Sequence, residues 1–142
     1  DICSLADEKL SGKIEFEFTG NLDNRILMQK YKENYYHIFV NVSASEGLPV
    51  SIMEAMSFGI PCIATDVGGT GEIVSNSNGV LLSANPTPVE VANAILKIVD
   101  MDDETYAELR KKARLDWEKN FNCEINYEGF TSELQGLASR SV

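Results

Sequence analysis

Glu46 and Glu54 stand with seven residues between them inside residues 41–69, NVSASEGLPVSIMEAMSFGIPCIATDVGG. Pro49 lies between them, and proline suits the first turn of a helix, where its missing N–H costs nothing. One carboxylate therefore falls in the loop before a helix. The other falls about one and a half turns inside it, on the side of Val50 and Ser57. An ionised carboxylate accepts up to four hydrogen bonds, and sugar hydroxyls are donors that come in adjacent pairs. Free N–H groups at the helix start meet an anion favourably, and Gly47 lets the backbone approach a ligand closely. Together these residues offer a site for phosphate and sugar hydroxyls that needs no lysine. Spacing alone leaves a plainer reading equally open, with Glu46 a first-turn acid and Glu54 an exposed helix residue.

The elements that must position this pair alternate along the chain. Residues 13–19 (KIEFEFT) alternate apolar and charged side chains and end at Gly20-Asn21, which predicts a strand and a turn. Helical spacing follows over 24–36, then a β-branched strand over 37–42. The helix over 49–58 stops at Gly59-Ile60-Pro61. Strands are expected over 60–64 and 79–82, with a short helical turn at 72–75. Beyond Thr87 the pattern is helical only, over 87–99, 103–119 and 123–137, with Thr87-Pro88-Val89-Glu90 as a capped start. Alternating strands and helices imply an α/β fold, a Rossmann-like parallel sheet covered by helices on both faces, with a helical C-terminal tail. In such a sheet ligands bind beyond the carboxyl ends of the strands. Three loops rich in small residues, 20–23, 43–48 and 65–69, match that position.

Composition narrows the partners. The chain has 142 residues, 44% of them apolar, enough for one domain over 1–142 with a modest core. Its net charge of −10, from 22 acids and 12 bases, argues against nucleic acid or anionic lipid as a partner. Cys3, Cys62 and Cys123 are far apart, and His37 is the sole histidine, so neither a disulfide framework nor a metal site is indicated. A reducing cytoplasm is the simplest compartment. No apolar run approaches membrane-spanning length, and no signal peptide is visible. The absence of an initiating Met points to a piece of a longer protein.

The run SEGLPVSIMEAMSFGIPCIATDVGGTGEIV resembles the signature of the retaining glycosyltransferases of GT-B architecture, the large group 1 family that includes sucrose synthases and bacterial polysaccharide transferases. The resemblance covers S-x-x-E-G-x-P, the E-x7-E pair, E-A-M-x-x-G-x-P, A-T-D-V-G-G and E-I-V, and continues more weakly from FTG at 18–20 to the end. It implies a donor-binding C-terminal domain, or part of one, acting on a UDP- or GDP-sugar and using no cofactor or metal. Glu46 would contact the donor sugar in the catalytic centre, as a positioning group rather than a nucleophile. Glu54 would hold the ribose. The backbone of Gly47, Leu48, Pro49 and Val50 would lie beside the sugar and diphosphate, and Gly20 and Asn21 would lie against the base. It also implies a basic pair for the diphosphate that lies before this chain begins, and an acceptor-binding N-terminal domain, absent here, that would carry a catalytic His and any peripheral membrane association. The fragment alone would then be inactive.

Two other functions stay open at this stage: a nucleotide-binding or interaction module without transferase activity, and a nucleotide-sugar epimerase, which the E-x7-E pattern disfavours. Several residues have structural readings. His37 is expected at the surface before a strand; Asp66 is open between a ligand contact and a turn residue bonding its own backbone, and Glu72 between facing the cleft and capping the short helix, with the cap preferred. Met53, Met56 and Phe58 are expected in the core, Cys62 buried, and Trp117, Phe121, Tyr127 and Phe130 packed between the last helices.

Overall fold

A computed structural model describes residues 2–139. The chain divides into two compact units, Asp1–Lys30 and Tyr31–Val142. The first holds helix α1 (Ile2–Leu10) and most of α2 (Asn24–Glu33). Residues 13–19 are not the expected strand. Their alternation survives locally, since the Phe16 and Phe18 rings meet edge to face at 5.8 Å, but a strand needs a neighbour to take its backbone groups. The sheet among the described residues has three strands, and this segment is not one of them.

The second unit runs β1 (Phe39–Asn41), α3 (Val50–Ser57), β2 (Cys62–Thr65), α4 (Thr70–Ile73), β3 (Gly79–Leu82), α5 (Pro88–Val99), α6 (Asp103–Asn120) and α7 (Cys123–Ser139). The strands form a parallel sheet in the order β1-β2-β3, with Phe39 opposite Cys62, and Cys62 opposite Gly79. Parallel neighbours need a crossover, which α3 and α4 provide. Because side chains alternate across a strand, the sheet has two cores. Phe39, Cys62, Ala64 and Leu81 meet Ile52, Ala55 and Met56 of α3 and Ala113 of α6. Ile63, Val80 and Leu82 meet Ala94 and Ile98 of α5, with Tyr106 and Leu109 of α6 alongside. Helix α6 thus serves both faces.

Local signals account for most element ends. After α3, Gly59 takes φ +66°, its N–H donates to Met56 O, and the Ile60 N–H donates to Ala55 O. This is the paired closure that glycine permits after a helix. Thr87 and Glu90 form the expected capping box of α5, and Asp102 caps α6. Other ends are tertiary. The chain leaves α2 at Glu33, before the expected 36, and β1 starts at Phe39, because α6 takes the intervening backbone: Arg110 Nη1 donates to Tyr36 O and the Tyr106 hydroxyl to His37 O, each at 2.8 Å. His37 is exposed as expected, stacked on Tyr106 and edge-on to Tyr35.

Two structural expectations need correction. Trp117 and Phe121 pack on the first core, but Tyr127 and Phe130 of α7 are 72% and 60% exposed. Their helical spacing builds an apolar face on α7, and spacing does not by itself supply a facing element. Helix α4 starts at Thr70, earlier than the expected 72, and has no side-chain cap hydrogen bond, so Glu72 is an exposed first-turn acid rather than a cap.

Cys62 is fully buried in β2 while Cys3 and Cys123 are exposed. Burial pushes the Cys62 thiol pKa up, which lowers its thiolate fraction and its reactivity. A maleimide or aromatic disulfide reagent should therefore modify Cys3 and Cys123 in the native chain and Cys62 only after unfolding, as mass spectrometry of the labelled peptides would show. Rapid native labelling of Cys62 would contradict this core.

Candidate functional site

The site forms where β1 and β2 end. Helix α3 begins there, with Pro49 in extended conformation (φ −73°, ψ 101°) as its N-cap and Val50 its first residue, one position later than the sequence implies. Pro49 O accepts from the N–H groups of Ile52 and Met53. The N–H groups of Gly47, Leu48, Val50 and Ser51 have no acceptor among the described residues, which leaves a row of donors at the positive end of the helix dipole. Pro49 is buried, whereas Gly47, Leu48 and Val50 are exposed. A Cβ built on Gly47 meets nothing within 4 Å, so the backbone there faces open space.

At its other end α3 is closed by α6. Arg110 Nη2 donates to Phe58 O at 3.3 Å, and Arg114 Nη1 donates to Ser57 O. Cations on the last carbonyls suit the negative end of the dipole. The chain has no lysine or arginine between Lys32 and Lys97, so the arginines that touch α3 do so at the end away from Glu46. Within residues 33–96, the only cationic character at the α3 start is that of its backbone N–H groups.

The loop that carries Glu46 is fixed by the end of β2. Thr65 Oγ1 donates to Ser43 O at 2.6 Å, and the Gly69 N–H donates to Gly47 O at 2.7 Å. Gly68 has φ +54°, and a Cβ there would collide with Glu46 O. Only glycine fits so close a backbone crossing. The glycines of the A-T-D-V-G-G segment therefore serve the Glu46 loop directly.

Glu46 is half-buried, and its Oε1 accepts from Asn41 Nδ2 at 3.1 Å. Hydrogen bonds from Ser43 and then Asn41 hold its pKa below the ordinary carboxylate range. It is thus an ionised acceptor and a poor proton donor near neutral pH. Glu54 lies in the second turn of α3, half-buried on the side of Val50 and Ser57. Near it is Tyr31, whose phenol is pushed up to about 12, mainly by burial and then by the charges of Cys62, Glu54 and Tyr36. A neutral hydroxyl thus accompanies Glu54. The structure therefore brings Glu46, Gly47, Leu48, Pro49, Val50 and Glu54 to one end of the sheet. Gly20, at φ +61°, and Asn21 are exposed in the loop before α2, within the other unit. Asp66 is exposed, with Oδ1 beside Gly71 at the start of α4.

Sequence reasoning missed Asn41, Thr65 and Tyr31. Asn41 had a usable signal, a short amide at a strand end five residues before an acid; Thr65 and Tyr31 act across the fold and had none.

The parallel α/β sheet with flanking helices defines the fold class, and similarity to known proteins gives the family. Residues 3–116 match the family described as "Glycosyl transferases group 1", and the chain belongs to it. The UDP-Gal:alpha-D-GlcNAc-diphosphoundecaprenol alpha-1,3-galactosyltransferase of Escherichia coli is 30% identical over 95 residues, 62% of this chain and 24% of that protein. The sulfoquinovosyl transferase SQD2 of Arabidopsis thaliana is 35% identical over 116 residues, 79% of this chain and 22% of that protein. Among solved structures, sucrose-phosphate synthase from Thermosynechococcus elongatus superposes with a TM-score of 0.76 at 26% identity, over 98% of this chain and 34% of that one. The chain thus spans about a quarter of the length of these two curated relatives. The expected fold class holds, with a parallel sheet, flanking helices, a terminal helix and GT-B glycosyltransferases as structural neighbours. Among the described residues no helix is long and apolar enough to cross a membrane.

The loop packing makes a contrast between two neighbouring glycines. Gly68→Ala should destabilise the chain by about 1–3 kcal/mol in denaturant unfolding, the usual cost of a strained backbone position, and should move the backbone amide signals of Glu46 and Gly47. Gly47→Ala, with its Cβ in open space, should stay within about 0.5 kcal/mol.

Proposed function

We propose that this chain binds the nucleoside diphosphate sugar donor of a hexosyltransferase-type glycosyltransferase that works with retention at the anomeric carbon. The donor is a UDP- or GDP-sugar and no cofactor or metal is required. Glu46 takes the sugar hydroxyls, Glu54 the ribose diol, the backbone from Gly47 to Val50 the sugar and diphosphate, and Gly20 and Asn21 the base. The observation that carries this reading is the joint placement of an ionised Glu46, four free backbone N–H groups and Glu54 at one end of a parallel sheet. Fixed N–H groups stabilise the charge that develops on a departing diphosphate. The second carboxylate lies about one and a half turns deeper, at a distance suited to a separate diol.

The rest of the enzyme belongs, on this reading, to sequence outside this chain: an acceptor-binding domain, the basic groups for the diphosphate, and any peripheral contact with the inner face of the membrane. The chain is then the C-terminal donor domain of a cytoplasmic enzyme and does not turn over alone. The diphosphoundecaprenol acceptor in the name of the Escherichia coli relative supports a role in cell-surface polysaccharide or glycoconjugate synthesis. A non-catalytic module of the same fold has no observation in its favour.

Titration calorimetry with UDP and a UDP-hexose tests the division of labour. Glu54→Ala should weaken both ligands about tenfold, as expected for loss of a hydrogen bond to a charged group. Glu46→Ala should weaken the UDP-hexose and leave UDP unchanged. Equal losses for both ligands in both variants would overturn it.

A further inference from the structure

Asn41 is the last residue of β1, opposite Ala64 of β2. Its Oδ1 accepts the Ser43 N–H at 3.0 Å, and its Nδ2 donates to Glu46 Oε1 at 3.1 Å. A carboxamide is suited to this pair of tasks, because it carries an acceptor and a donor on one rigid plane. Its orientation is fixed from both sides, since an N–H needs the oxygen and a carboxylate needs the nitrogen. Asp would keep the bond to Ser43 but present an acceptor to an acceptor. Leu would lose both bonds. The loop cannot slide to compensate, because Thr65 holds Ser43 O and Gly69 holds Gly47 O.

We propose that Asn41 is a positioning residue that fixes the Glu46 carboxylate, anchoring one oxygen and leaving the remaining acceptor sites turned to the ligand. Its functional consequence rests on the reading of Glu46 as the sugar contact, whereas the Asn41–Glu46 coupling does not. The Ser43 hydroxyl assists on the same carboxylate. Anchoring matters energetically because a carboxylate on a free exposed side chain must lose rotamer freedom on binding, and a pre-positioned one has already lost it. The bond between Asn41 and Glu46 also favours the ionised form, which is the form that accepts sugar hydroxyls.

The test is an NMR titration of the Glu46 side-chain carboxyl in the 142-residue chain, unaltered and with Asn41→Leu or Asn41→Asp. The Glu46 midpoint should rise in both variants, and further in Asn41→Asp, where a second carboxylate replaces the donor. Because Ser43 also bonds Glu46, the same titration is run on Ser43→Ala with and without Asn41→Leu. A direct Asn41 bond raises the midpoint again in the double variant, whereas no further rise is what a role confined to shaping the Ser43 turn predicts, and it overturns the proposal. Should Asn41→Leu fail to fold, Asn41→Ser, which is small and polar at an edge strand, carries the same measurement. Calorimetry adds the functional arm: Asn41→Asp should bind a UDP-hexose about tenfold more weakly at neutral pH with UDP unchanged. Part of that loss should return in mild acid, as the two carboxylates come to share a proton. The Glu46→Gln variant separates the two ideas. If it binds UDP-hexose normally while the Asn41 variants still shift the Glu46 midpoint, the coupling stands and the sugar-contact reading falls.

Discussion

Helix α3 must be held with its start at the carboxyl ends of the strands, and everything else at the site depends on that. Three side chains, Ile52, Ala55 and Met56, are completely buried against the sheet and set its rotation. Arg110 and Arg114 of α6 occupy its last carbonyls and set its far end. Burying three such side chains contributes several kcal/mol at about 25 cal/mol per Å² of apolar surface, far more than any hydrogen bond in the Glu46 loop. The weak, directional contacts of the site are therefore mounted on a strong, non-directional one. With the helix fixed, its unpaired N–H groups and Glu54 have a constant direction.

The same arrangement accounts for the charge pattern. A chain with net charge −10 repels a diphosphate by its overall field. On the proposed reading, backbone N–H groups at the helix start would solve this locally, because they carry partial positive charge whatever the composition around them. The arginines of α6 are not free to help, since they neutralise the other end of α3 and pin the chain before β1. Acids can therefore stand beside the N–H groups, where, on the proposed reading, each would accept from ligand hydroxyls.

The legible parts of the fold were those decided within a few residues. The glycine stop after α3, the capping box of α5 and the apolar β3 strand are local and appear where their residues predict them. The failures share a cause. Residues 13–19 have the alternation of a strand but no neighbour among the three strands, and Tyr127 and Phe130 have helical spacing but stay exposed, covered by nothing among the described residues. Periodicity describes the face a segment offers, and burial also requires something to bury it against. Glu72 was misread because α4 starts two residues early, directly from the Gly68-Gly69 crossing.

At the site, the types and spacing of Glu46, Gly47, Pro49 and Glu54, and with them the family, were determined by the sequence, because a loop followed by a helix start is a short-range structure. Only the tertiary structure decided how that loop is held. Gly68 crosses over Glu46 O, Thr65 bonds Ser43 O, and Arg114 reaches Ser57, each contact joining residues more than twenty positions apart. No local propensity encodes such pairs, since they exist only after the sheet has formed and α6 has packed on α3. The carboxylate was visible in the sequence; its anchored orientation required the sheet.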